Sequence, residues 1–140
     1  MKFRHIGLVV DDYKKSLNFW TKNFGFKISS NKLEKGEQIS KVLGIKNSII
    51  RSVKLVDKTN RLFLELISFK NPQIKKKKIN VNSVGLTHFA LTVKNLDKIY
   101  KNLNKKIKFN SKPVLSVDKK VKVVYARVDD SLFIELVEEL

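Results

Sequence analysis

The chain repeats itself, and the repeat constrains its fold more than any other feature. RLFLELI at 61–67 is answered by SLFIELV at 131–137, and FRHIGLVV at 3–10 by LTHFALTV at 86–93. Helix-like stretches follow both of the latter, DDYKKSLNFW and KNLDKIYKNL. Self-similarity of this kind means two copies of one supersecondary unit. Each copy carries one of the chain's only two histidines, His5 and His88, near its start, and one glutamate, Glu65 or Glu135, in its closing strand. The separation is 60 residues from His5 to Glu65 and 47 from His88 to Glu135. The first copy therefore holds about 13 extra residues, expected within 33–47, where Gly36 and Gly44 bracket EQISKVL as a short helix near the cavity mouth.

Periodicity gives the same plan in both copies. Alternation predicts a strand over 3–10 with Phe3, His5, Gly7 and Val9 on one face. Asp11 or Asp12 caps a helix whose stripe is Tyr13, Leu17, Trp20 and Phe24, closed by Gly25. The helical spacing of Trp20 marks it as core rather than as a ligand-stacking ring. Strands are expected over 26–30, 49–56 and 62–69, the last two joined by a turn at 57–60. In the second copy a strand at 86–93 leads to a helix capped by Asn95, with Leu96, Ile99, Tyr100 and Leu103 inward. Strands follow near 114–117, 121–128 and 132–137, with a hairpin at 129–131. The expected fold class is α+β, two βαβββ modules in one domain. Module 1 spans about 1–69, a linker 70–84 and module 2 about 85–140.

The 140 residues, 42% of them hydrophobic, suffice for a real core. No apolar run approaches the roughly 18 residues of a membrane span, and the N-terminal apolar segment is short for a secretory signal, so a cytoplasmic protein with no membrane partner is expected. Without cysteine, any metal is held by nitrogen and oxygen. The net charge of +17 raises the question of nucleic acid. Only four of the 30 basic residues are arginine, and the lysines are scattered apart from a cluster at 75–78 in the linker. A solvated basic exterior that steers a small anionic substrate explains this better than a specific nucleic-acid surface.

In the closing strands Glu65 and Glu135 stand among apolar neighbours, where a carboxylate needs a partner. The histidines stand in equivalent apolar strand starts. Four such residues at matching places of a duplicated unit point to one divalent metal held by His5, Glu65, His88 and Glu135, a mixed nitrogen and oxygen set suited to Zn2+, Ni2+, Co2+, Fe2+ or Mn2+. Arg51, in a strand beside an apolar run, is the candidate for a substrate carboxylate.

The run HIGLVVDDYKKSLNFWTKNFGFKI, the strand LFLELI, the restart THFALTV and the close LFIELVEEL resemble the vicinal oxygen chelate superfamily, which includes glyoxalase I, the bleomycin resistance proteins and the extradiol dioxygenases. The resemblance covers nearly the whole chain. It implies a curved mixed sheet around a metal cavity and a homodimer. The four candidate ligands match the glyoxalase I pattern, whereas ring-cleaving dioxygenases and fosfomycin-resistance enzymes use three, and methylmalonyl-CoA epimerase usually has Gln at the place of Glu65. It further implies a lactoylglutathione lyase-like lyase or isomerase that moves a proton next to a metal-bound carbonyl, with Glu135 as first choice of base and Glu65 as second. The expected substrate is a glutathione adduct. The alternatives are an epimerase of CoA thioesters, a ring-cleaving dioxygenase and a noncatalytic small-molecule binder.

Overall fold

The computed structural model describes residues 1–61 and 63–140, and resolves them into two compact units, 1–75 and 76–140. The first runs β1 (Ile6–Val9), α1 (Tyr13–Phe24), β2 (Lys27–Lys35), α2 (Glu37–Leu43), β3 (Ile49–Val56) and β4 (Phe63–Asn71). The second runs β5 (His88–Thr92), α3 (Leu96–Leu103), β6 (Lys108–Phe109), β7 (Val114–Leu115), β8 (Val121–Asp129) and β9 (Leu132–Glu139). The chain is thus α+β, with a mixed sheet in each unit.

In the first sheet the order is β1-β4-β3-β2, with β1 parallel to β4 and the other pairs antiparallel. The alternation of β4 sends Leu64 and Leu66 to one face, where they meet Leu55 and Val53 of β3, all four fully buried. Helix α1 covers that face. Asp12 starts it by accepting from the backbone N–H of Lys14 and Lys15, and Gly25 ends it at φ 69, a left-handed position that glycine takes without strain. Trp20 is 1% exposed and meets Phe19, Phe24 and Phe26 at ring separations of 5.2–5.7 Å, which confirms it as core.

The second sheet repeats the plan in the order β5-β9-β8-β6, with β7 also on β8. Its buried face holds Val124, Ala126, Ile134 and Leu136, packed with Leu96 and Leu103 of α3. The N-terminus of α3 is held from β9, because Glu138 accepts from the backbone N–H of Asn95 at 2.6 Å and of Leu96 at 3.1 Å. Lys122 on β8 adds an ion pair to Asp97 at 2.7 Å.

Several boundaries depart from the periodicity. Strand β1 begins at Ile6, so Phe3 and His5 precede it. Strand β2 continues to Lys35, taking up the start of the expected insertion, and the rest forms α2 between Gly36 and Gly44 as expected. The strand expected near 114–117 shrinks to β7, with β6 supplying a second short piece. Strand β4 was expected from Leu62, which lies outside the described residues. Among the described residues no helix is long and apolar enough to cross a membrane.

Candidate metal-binding site

The face of each sheet turned away from its helix carries the polar residues. In the first unit β3 and β4 pair so that Lys54 faces Glu65, Ser52 faces Ile67 and Val56 faces Phe63, while β1 lays Gly7 beside Glu65. His5 comes two residues before Gly7. Its Nε2 lies 2.9 Å from Glu65 Oε2. The other carboxylate oxygen, Oε1, accepts from the Ser52 hydroxyl at 2.6 Å, and Ser52 is only 2% exposed. Both oxygens of Glu65 are therefore engaged.

The second unit reproduces this register. Ala90 lies beside Glu135, His88 comes two residues before Ala90, and Tyr125 faces Glu135 across β8 and β9. His88 Nε2 is 3.7 Å from Glu135 Oε2, a looser approach than in the first unit. Thr87, 7% exposed, places its hydroxyl 3.1 Å from His88 Nδ1, where it can fix the ring and leave Nε2 to bind a cation. The Tyr125 hydroxyl lies 3.2 Å from that Nε2. Burial first, then its hydrogen bond to Glu135 and the charge of that carboxylate, hold the tyrosine above the usual phenol range. It keeps its proton at neutral pH.

The two His and Glu pairs share a scaffold and differ in lining. Register sets Lys54 of the first unit at the place of Tyr125 in the second, and Ser52 at the place of Val123. Glu65 has a hydroxyl donor below it; at that position Glu135 has an isopropyl group.

Each expected ligand pair is thus brought together within its unit, His5 with Glu65 and His88 with Glu135. Within either unit the described residues gather no group of three or more such donors. The donors suit a divalent ion of borderline or hard character, being imidazole nitrogen and carboxylate oxygen. Arg51 is not brought to Glu65. It points to the helix side of β3, where its guanidinium carbon lies 5.5 Å from the centre of the Tyr13 ring and Nη1 donates to Asn31 Oδ1 at 2.9 Å. Ser52, Lys54, Thr87 and Tyr125 had not been singled out from the sequence. Parity within the strands carried part of their signal, since Ser52 and Lys54 interrupt the apolar run of β3 on a single face.

The profile of the glyoxalase/bleomycin resistance protein/dioxygenase superfamily matches residues 2–126. The chain belongs to that superfamily. Solved structures with the same fold include a glyoxalase family protein from Bacillus cereus, 20% identical, with a TM-score of 0.91 over 100% of this chain and 95% of that one. The fosfomycin resistance protein FosX from Listeria monocytogenes aligns at 13% identity with a TM-score of 0.69, over 99% of this chain and 94% of its own. A second structure of that FosX, in complex with Mn(II) and sulfate, has a TM-score of 0.64 at 13% identity, over 99% and 93% of the two chains. Among curated protein sequences none matches.

Proposed function

We propose that this chain is a metal-dependent lyase or isomerase of the glyoxalase I type, in which His5, Glu65, His88 and Glu135 are the ligands of one divalent cation. The observation that carries the reading is the repetition of one His and Glu pair at one register in both units, on the face each sheet turns away from its core. A structural role alone would not call for the same costly pairing twice. The resident ion is one of Zn2+, Ni2+, Co2+, Fe2+ or Mn2+, and when bound it supplies Lewis acidity that stabilises the anion formed beside a substrate carbonyl.

The chain's own residues divide the remaining work. Glu65, held through one oxygen by Ser52 and through the other by His5, is suited to remain in place. Glu135, at 3.7 Å from His88 and above Val123, is freer to turn toward a substrate carbon and to accept and return its proton. Protonated Tyr125 stands beside both His88 and Glu135 as a hydrogen-bond donor. The substrate is a small anionic molecule, with a glutathione hemithioacetal first to test, and the protein acts as a cytoplasmic homodimer.

The test is metal content and turnover together. Purified protein loaded with each candidate ion should retain one per chain, and should convert methylglyoxal with glutathione. Glu135→Gln should keep most of the metal and lose turnover by at least about 100-fold, the scale of general-base catalysis. Turnover of methylmalonyl-CoA instead would move the chain to the epimerases, and iron with oxygen consumption to the ring-cleaving enzymes. Failure to retain any ion, or full activity in Glu135→Gln, overturns the reading.

A further inference from the structure

The first unit contains a cavity of about 390 Å³ lined by Lys2, Phe3, Arg4, His5, Lys54 and Phe63 among others. Three of these are cations, and no acidic residue lines it. Lys54 faces Glu65 in the ladder, yet no ion pair joins them, and neither Lys2 nor Arg4 has an acidic partner among the described residues. Concentrating unneutralised positive charge in a concave wall raises the local concentration of anions. The aromatic side is exposed as well, Phe3 at 71% and Phe63 at 37% accessible. Large rings left in water beside cations mark a surface shaped for something that is itself half apolar and half anionic. In the second unit the place of Lys54 is taken by Tyr125, so the cation of β3 has no counterpart there.

We propose that this cavity is an oxyanion subsite, in which Lys2, Arg4 and Lys54 hold the carboxylate or phosphoryl group at one end of the substrate while the apolar part next to it lies against Phe3 and Phe63. The volume is at the small end of ligand pockets, which fits an apolar part of about one ring. Shared lining by His5 puts the bound anion next to the His5 and Glu65 pair. Its part in turnover rests on the function proposed above; its binding does not, since no metal is needed to hold an anion there.

Binding is therefore measured on metal-free protein in a chelator, by calorimetric titration at low salt with phenyl phosphate, phenylacetate and the neutral benzyl alcohol. One or both aryl anions should bind, the tighter one naming the group, and benzyl alcohol should bind far more weakly. The double variant Arg4→Gln/Lys54→Met should weaken the anion by about tenfold, the scale expected for two exposed ion pairs. Lys54→Arg should restore most of it, which also separates loss of charge from loss of fold. Lys75→Gln/Lys77→Gln removes the same charge from the exposed 75–78 run and should change affinity by less than about twofold at a salt concentration that screens distant charges. Equal loss in that control would assign the binding to the overall +17 field, and binding of neither anion would remove the subsite. Either result leaves the metal and turnover tests untouched.

Discussion

Ser52→Ala is the most informative single substitution in the first unit. The hydroxyl lost is 2% exposed and donates to Glu65 at 2.6 Å, a hydrogen bond to the carboxylate proposed above as a metal ligand. Such bonds contribute about 1.5–3 kcal/mol, and each 1.4 kcal/mol is about tenfold in an equilibrium constant. The Glu65 side chain is 15% accessible, so water replaces part of the lost donor and the lower half of that range applies. Metal affinity, measured by competition with a chelator of known strength, should fall by about 10- to 40-fold, in line with the loss seen when residues behind a metal ligand are removed. Ser52→Thr keeps the hydroxyl on a side chain suited to a strand and should recover most of the affinity. Metal-free Ser52→Ala should also melt roughly 3–6 °C lower. A variant that melts lower yet holds metal as tightly as the parent would refute the reasoning, because Ser52 would then be a packing residue with no hold on the ligand.

Gly7→Val tests the open space beside Glu65. The backbone at Gly7 is not left-handed, and an added Cβ would meet only Ile67 Cδ1, at an ordinary 3.8 Å. The variant should fold normally by circular dichroism, with metal affinity or turnover reduced by at least about tenfold; unchanged activity would mean that nothing binds over that part of β1. Asp118→Asn tests the turn into β8. The Ser116 hydroxyl and the backbone N–H of Lys120 hold the Asp118 carboxyl below its ordinary 3.8. A lowered carboxyl contributes stability above its ordinary value and loses it as pH falls through the folded one. Urea unfolding should therefore show Asp118→Asn less stable than the parent at pH 6, with the gap closing as pH falls below the ordinary carboxyl value of 3.8.

The repeat made the two His and Glu pairs legible because the same residue types recur at the same place, and burial of apolar strand faces needs only alternation to be read. The neighbours of the carboxylates were hidden by register. Between β3 and β4 the ladder closes at Val56 and Phe63 rather than around the four-residue turn expected at 57–60, and that offset decides that Lys54 faces Glu65. Between β8 and β9 an irregularity between Arg127 and Asp129 shifts the pairing by one residue, which sets Tyr125 opposite Glu135. A one-residue slip exchanges the two faces of a strand, so no pattern of polarity predicts the outcome without the bulge. Arg51 shows how parity sorts a strand residue. Its position in an apolar strand made it the candidate for a substrate carboxylate, and parity sets it on the helix side with Tyr13, away from Glu65.

The segregation of chemistry and cohesion onto opposite sides of each sheet has a further consequence. Val53, Leu55, Leu64 and Leu66 in one unit, and Val124, Ala126, Ile134 and Leu136 in the other, hold the sheets together whatever stands at 52, 54, 123 and 125. Those four positions can be exchanged singly, in one copy at a time, with the apolar face left as it is and at a cost of a few degrees of melting temperature where, as at Ser52, a buried hydrogen bond is lost. A descendant of this chain could thus acquire a new reaction by altering a hydroxyl or an amine while inheriting its architecture intact.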